Sequence, residues 1–297
     1  MARVLLIENP VAARTDPQVV RTVCRVLERE GWTVDVAGTT RPGDAARLAA
    51  QGVADRVDVI AIYAGDGTTT QAVAGMIGSG IPLALIPGGI GNLLAGNLRL
   101  PKDPTRAALA VTRGVRRRID LGKIERPEGP RYFAVACGAG LDAEIMIGAP
   151  TERKKRWGSL AYVSATLSGL YGISAPLHRI TIDDTVLEVK AAVVAIANCG
   201  RVTSLHFDLG PGITLDDGYL DVLAIRADGM AEGLVALWEL LSGRSNGKGK
   251  IARARGRKIT VESETIRPVQ ADGDVVGETP LKVEVVPGAV EVMVERA

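Results

Sequence analysis

Residues 57–71 read VDVIAIYAGDGTTTQ. Val57 to Tyr63 is an apolar run broken only by Asp58, of the length expected for a buried strand. The chain then turns through Ala64-Gly65-Asp66-Gly67-Thr68-Thr69-Thr70-Gln71 and enters a helix predicted over Gln71–Ile77. Two glycines around an acid let the backbone approach a ligand closely. Threonine hydroxyls and amides at a helix N-terminus, where the dipole favours negative charge, suit a phosphate. Taken alone, the stretch also reads as a plain strand–turn–helix corner with threonine caps.

Working outward, Leu83 to Ile86 is a further strand ending in Pro87-Gly88-Gly89-Ile90-Gly91-Asn92, again ahead of an apparent helix. Two glycine-rich turns at successive strand ends would form one cleft wall, which strengthens the phosphate reading. Upstream, Val4–Ile7 is a strand followed by Asn9-Pro10, Asp16 caps a helix with Pro17 at its first position, and Gly31 ends it. Thr33–Ala37 reads as a strand and Gly43–Ala50 as a helix, with another helix near Pro104–Thr112. Strands alternating with helices at this spacing predict an α/β N-terminal domain, a parallel sheet with helices on both faces, whose ligands bind at the carboxyl ends of the strands.

The pattern changes near Asp120 to Lys123. Strands are predicted at Tyr132–Ala136, Arg179–Ile182, Val186–Ala197, Tyr219–Ile225, Lys258–Val261 and Leu281–Val286, with Asp183-Asp184 as a hairpin turn. Helices are predicted at Ser159–Leu170 and Met230–Leu241, and Gly243–Gly256 reads as a glycine-rich basic connector. The expected organisation is an α/β domain over 1–121, to which a tail of about 287–297 could return, and a β-rich antiparallel sandwich with inserted helices over 122–286.

Composition excludes several classes. Among 297 residues, 36 Lys and Arg against 34 Asp and Glu leave a net charge of +2, and aromatics are 3%, so neither charge nor stacking surface argues for nucleic-acid binding. Cys24, Cys137 and Cys199 are widely spaced, with no Cys-x-x-Cys, so neither a disulfide framework nor a zinc site is expected and the setting reads as cytoplasmic. Met1–Pro10 does not read as a signal peptide, and no apolar stretch reaches the ~20 residues of a membrane span. Any membrane contact would be peripheral.

Other motifs are less decisive. Gly138-Ala139-Gly140-Leu141-Asp142-Ala143 fits a relaxed dinucleotide fingerprint but lies outside the α/β half, and a tight bend is the favoured reading. Asp216-Asp217-Gly218-Tyr219-Leu220-Asp221 clusters acids in a turn that could hold a hard cation such as magnesium, or be an ordinary Asp-Gly turn. Asp272-Gly273-Asp274 could supply a general base, or be a hairpin turn. No Walker A loop is present, because Lys248 is followed by Gly249. The basic groups Arg116–Arg118, Arg153–Arg156 before Trp157, and Arg244–Lys258 read as solvated surface, or as stretches drawn to an anionic membrane. His178 and His206 read as structural.

Together these motifs resemble the diacylglycerol kinase catalytic-domain family, which includes sphingosine kinases and bacterial lipid kinases, over nearly the whole chain. Asn9-Pro10 is similar to its opening turn, and Thr39 with Gly43-Asp44-Ala45 to its Thr-x-x-x-Gly-Asp-Ala element. Gly65-Asp66-Gly67-Thr68 matches the Gly-Gly-Asp-Gly-Thr nucleotide signature, with Ala64 replacing the first glycine. Residues 87–92 match Pro-x-Gly-Thr-Gly-Asn. Gly140 to Glu144 resembles the Gly-x-Asp-Ala-Glu bend, and Gly158 with Tyr162 the following helix. The resemblance implies nucleotide binding by Asn9, Thr39, Gly65, Asp66, Gly67, Thr68, Thr69, Gly89, Gly91 and Asn92. It implies a structural magnesium held by the Asp217 carboxylate and the carbonyls of Thr214 and Tyr219, and a base at Asp274, with Asp272 as substitute and Asp66 organising the magnesium–nucleotide. Three positions depart from the pattern: Ile90 for Thr, Leu93 for Asp, and Asp274 for Glu.

The implied activity is ATP-dependent phosphorylation of a lipid hydroxyl at a membrane surface, diacylglycerol first, with ATP and Mg2+ as cofactors and ATP seated in a cleft between the domains. A relative acting on a soluble substrate such as NAD, and a weakly catalytic nucleotide- or lipid-binding member, are the alternatives. The expected setting is cytoplasmic with peripheral membrane association, and a homodimer is compatible with the sequence.

Overall fold

The computed structural model describes residues 1–12, 15–140, 174–202, 207–210, 212–242 and 249–296. They divide into two compact units, Met1–Ile119 with Gly288–Ala297, and Asp120–Pro287.

In the first unit β1 (Arg3–Glu8), α1 (Pro17–Arg29), β2 (Thr33–Gly38), α2 (Asp44–Ala54), β3 (Val59–Ala64), α3 (Asp66–Ala74), β4 (Leu83–Pro87), α4 (Leu93–Asn97) and α5 (Pro104–Arg113) alternate as the periodicity predicts. The strands lie parallel in the order β2-β1-β3-β4, and Val292 from the end of the chain pairs in parallel with Leu83. All six β3 residues are buried, as a central parallel strand covered on both faces requires. Asp16 caps α1 by accepting from the Gln18 amide, with Pro17 at the first position, and α1 buries Val20, Val23 and Leu27. Asp103 and Pro104 repeat the device at α5. These helices pack with Leu6, Ala61, Tyr63 and Ile86 into one core.

The second unit holds β5 (Val115–Ile124, starting in the first unit), β6 (Arg131–Phe133), β7 (Ala136–Gly140), β8 (Leu177–Ile182), β9 (Thr185–Lys190), β10 (Val193–Ala197), β11 (Arg201–Val202), β12 (Phe207–Asp208), β13 (Leu220–Ile225), α6 (Met230–Ser242), β14 (Ile251–Gly256), β15 (Lys258–Ser263), β16 (Pro268–Ala271), β17 (Asp274–Glu278) and β18 (Leu281–Val294, ending in the first unit). One sheet runs β14-β13-β10-β7-β16-β17, wholly antiparallel. The other carries β9, β8, β15 and the start of β18 side by side, with β5 and β6 joined to it. Side chains from both sheets share one core, including Phe133, Cys137, Val194, Ile180, Val222 and Val261, as in a sandwich of two half-buried sheets.

Several sequence expectations change. The helix expected over Gln71–Ile77 is α3, starting at Asp66, so most of the Gly-Thr stretch lies inside its first two turns. The single strand expected over Val186–Ala197 is β9 and β10 in different sheets, because Ala191 and Ala192 are buried at a corner whose amides bond to Pro176 and Ile225. Tyr132–Ala136 likewise splits, and the bend expected at Gly138–Gly140 is strand, pairing with Val193–Ala195. A Cβ at Gly140 would strike the Ala192 carbonyl, which is why an apolar strand carries glycine there. The expected connector contains β14, paired along its length with β13. Leu141–Glu144, the basic run with Trp157, the helix at Ser159–Leu170 and His206 lie outside the described residues. His178 is buried against the Ala191 carbonyl, with ring nitrogen and oxygen 3.0 Å apart. Cys24, Cys137 and Cys199 are not joined in disulfides. Among the described residues no helix is long and apolar enough to cross a membrane.

Candidate functional site

The four parallel strands of the first unit deliver Thr39, Asn9, Gly65 and the Gly88–Asn92 loop to one edge, each just past a strand's carboxyl end. Asn9 turns the chain after β1. Its Oδ1 accepts from the Val11 amide at 3.2 Å, and its Nδ2 donates to Thr68 Oγ1 at 2.9 Å. Asn9 therefore ties the end of β1 to the first turn of α3. Thr39 stands at the next position, with its amide on the Glu8 carbonyl at 2.9 Å. Its loop reaches α3 through the Gly43 amide, which donates to Gln71 Oε1 at 3.0 Å.

The two glycine corners touch. A Cβ on Gly89 would lie 2.6 Å from the Gly65 Cα, closer than real Cβ contacts, so only glycine allows this approach of two backbones. Asn92, in the left-handed region at φ +46°, closes its loop by accepting from the Gly89 amide at 2.9 Å and donating to the Gly89 carbonyl at 2.8 Å. The Gly88 amide donates to the Ala64 carbonyl at 3.0 Å. Asp66 braces the pair: its Oδ1 accepts from Leu94, in the first turn of α4, at 3.3 Å, and a Cβ on Gly91 would sit 2.8 Å from its Oδ2.

Gly67 is different. It lies in the first turn of α3, and a Cβ there would meet nothing within 4 Å. Its amide and that of Thr68 occupy the turn in which helix geometry supplies no carbonyl acceptor, so they suit an anion. Thr69 does not join them: it is buried, with its hydroxyl on the Gly65 carbonyl at 3.1 Å. A small recess behind the corners is lined by Gly65, Asp66, Thr69, Pro87, Asn92 and Leu94 among others.

Beside Thr39, Asp44 is a buried carboxylate. The Thr40 amide and hydroxyl, the Arg41 amide and the Arg47 guanidinium converge on it and hold its carboxyl far below the usual range. This anchor for the 39–44 loop has no mark in the sequence beyond the Gly-Asp-Ala triplet.

In the second unit the two carboxylates of 272–274 have different roles. Asp272, at φ +45°, opens the β16–β17 hairpin turn with Gly273 at φ +93°. Its Oδ2 accepts from Ala134 at 2.7 Å and its Oδ1 from Val135 and Ala136 at 2.9 and 3.0 Å. Both oxygens are thus taken up by backbone, and Asp272 clamps the start of β7. Asp274 is half-exposed and paired with Arg131 at 2.7 Å, so of the two it is the carboxylate facing solvent.

The Asp-Gly turn at 217–218 fits a magnesium site poorly. Asp217 Oδ1 accepts from its own Tyr219 amide at 3.0 Å, and its other oxygen faces the Arg255 guanidinium at 3.1 Å. The Tyr219 ring lies under Arg257, 4.9 Å from its centroid, and Thr214 is exposed. A divalent ion at Asp217 would have to compete with the Arg255 guanidinium. The sequence reading overlooked Asp120, a buried carboxylate accepting from the Gly218 amide at 2.6 Å, while Asn198 holds its backbone carbonyl at 2.9 Å. Nothing around Asp120 in the sequence marks it.

Comparison with known proteins follows the same division. Residues 3–124 match the model of the diacylglycerol kinase catalytic domain, and residues 135–294 that of the YegS C-terminal NAD kinase beta sandwich-like domain. A diacylglycerol kinase of Mycobacterium tuberculosis is 30% identical over 277 residues, covering 91% of this chain and 87% of that one. A diacylglycerol kinase of Staphylococcus saprophyticus is 27% identical over 286 residues, covering 94% and 90%. In fold, the chain resembles the crystal structure of a diacylglycerol kinase from Bacillus anthracis, with a TM-score of 0.77 and 22% identity over 99% of this chain and 97% of that one. A further crystal structure from that organism gives a TM-score of 0.84 at 24% identity over 99% and 95%.

Proposed function

This chain belongs to the diacylglycerol kinase catalytic-domain family, and from that premise we propose that it transfers the terminal phosphoryl group of ATP to the hydroxyl of a membrane lipid, diacylglycerol first. The observation that carries the nucleotide half is the contact of Gly65 with Gly89 at the carboxyl ends of β3 and β4, with the Gly67 and Thr68 amides beside it. A backbone cradle of this kind takes phosphate oxygens where a side chain would block them.

In this reading Gly65, Gly67, Thr68, Gly89 and Gly91 receive the phosphates. Asn9, Asp66 and Asn92 hold the receiving backbone in place, and Thr39 lines the neighbouring strand end. The lipid oxygen bonds to the terminal phosphorus of ATP as the bond to the bridging oxygen breaks, and ADP leaves. Asp274 accepts the proton of the attacking hydroxyl, and Arg131 holds its carboxylate. Asp272 supports the hairpin that carries Asp274. No step is routed through the 214–219 turn, whose carboxylate already has a cation. Positioning and charge stabilisation carry most of the catalysis of phosphoryl transfer, and fixed amides supply both.

The test is transfer of label from ATP to lipid in mixed micelles. A panel of diacylglycerol, a sphingoid base and a polyprenol identifies the acceptor. Transfer to NAD with none to any lipid would replace this reading with the soluble-substrate one.

A further inference from the structure

α6 (Met230–Ser242) shows solvent an apolar face. Met230, Leu234, Val235 and Trp238 are 47, 46, 47 and 56% exposed, while Gly233 and Ala236 are buried beneath them. Three of these recur every fourth residue, forming a stripe along one side of the helix.

The helix has two charged residues, Glu232 and Glu239, and both are drawn off this stripe by one lysine. Glu232 Oε1 pairs with Lys250 Nζ at 2.6 Å, and both Glu239 oxygens accept from the Lys250 amide at 3.1 and 2.9 Å. Gly249 makes the second contact possible, because a Cβ there would collide with the Glu239 carboxylate. The outward stripe therefore carries no carboxylate. The stretch that follows, Lys250 to Lys258, has five cations and no acid; Lys250 is paired with Glu232, and Arg255 with Asp217 and Asp221.

We infer that the exposed stripe of α6 is a bilayer-docking surface, with Leu234 and Trp238 entering the headgroup–acyl boundary of an anionic membrane. The choice of a bilayer as occupant rests on the lipid-kinase reading and on this charge arrangement. An apolar stripe without acids, a tryptophan at its edge and a cationic strand after it match an anionic lipid interface. A protein partner would instead meet a polar rim.

The experiment is co-sedimentation, without ATP, with phosphatidylcholine vesicles that contain or lack phosphatidylglycerol. The wild-type chain is expected to pellet with the anionic vesicles. Leu234→Ser with Trp238→Ser should lower the partition coefficient about tenfold or more, since two apolar side chains are lost from the interface, and Trp238→Phe should retain binding. Phosphorylation of a short-chain, water-soluble diacylglycerol should be unchanged in the double variant, while activity on vesicle-borne diacylglycerol falls. Equal pelleting of wild type and double variant, or no pelleting of wild type, overturns the docking surface. Self-association that the double variant loses, with no vesicle binding, makes a second copy the occupant and overturns it equally. Because sedimentation needs no turnover, vesicle binding without transfer to any lipid would sink the kinase reading and leave the surface standing.

Discussion

Gly67→Ala separates what the fold needs from what the ligand needs. Gly67 has helical backbone in the first turn of α3, and a Cβ there meets nothing within 4 Å. Replacing a helix glycine by alanine stabilises by up to about 1 kcal/mol, or roughly 1–2 °C in Tm for a chain of this length. If phosphate oxygens approach the Gly67 amide, the same methyl group intrudes on them. Overpacking of that kind costs about 1–3 kcal/mol, a loss of roughly 5- to 150-fold in ATP affinity. Gly89→Ala is the comparison, because its Cβ would lie 2.6 Å from the Gly65 Cα and backbone would have to shift. That variant should lose Tm and ATP binding together. Calorimetric ATP titration and thermal melting read both quantities. A Gly67→Ala chain that melts higher yet binds ATP as tightly as wild type would refute the placement of phosphate over that turn.

Asp274→Asn should lower kcat strongly with little change in Tm, since a half-exposed ion pair contributes only about 0–1 kcal/mol. Asp272→Asn should cost about 1–3 kcal/mol of stability by leaving backbone amides of 134–136 mispaired. A larger loss of turnover per folded molecule in Asp272→Asn would exchange their roles. The Asp44 carboxyl titrates far below its ordinary value because Thr40, Arg41 and Arg47 hold its charged form. Its stabilisation is therefore complete above the unfolded value and lost as pH falls, so the Tm gap between wild type and Asp44→Asn should shrink below about pH 4; a gap constant to about pH 2 would contradict this. Burial pushes His178 below its ordinary value, so stability should decline as pH drops below about 6.5. His178→Phe should flatten that limb of the Tm–pH curve, and an unchanged slope would clear His178 of the effect.

The first unit was legible because its signals are local. Asp16-Pro17 and Asp103-Pro104 start helices by capping chemistry, and an apolar run such as 59–64 admits few alternatives. The start of α3 was placed late because Gly67 and three threonines are poor helix formers by propensity. Packing of Thr69 and Thr70 under the sheet end overrides that. The second unit was harder. The break between β9 and β10 is made by two alanines that look like strand interior, and only their burial between sheets reveals a corner. β14 was missed because arginines alternate with alanines in a glycine-flanked stretch, whereas pairing with β13 sets Arg255 against Asp221. The glycine motifs mark loops that the fold brings to one strand-end edge, but what sets Asp272 apart from Asp274 depends on backbone amides 134–136, which are remote in sequence.

The meeting of Gly65 and Gly89 also divides constraint from freedom along the loops. Main chain makes that junction, so neighbouring positions need not serve it and can change chemistry without disturbing it. Ile90 and Leu93 sit within a frame that Asn92 and Asp66 close through backbone amides. Such a frame can receive different side-chain decoration at those positions while the meeting of the two backbones keeps its geometry.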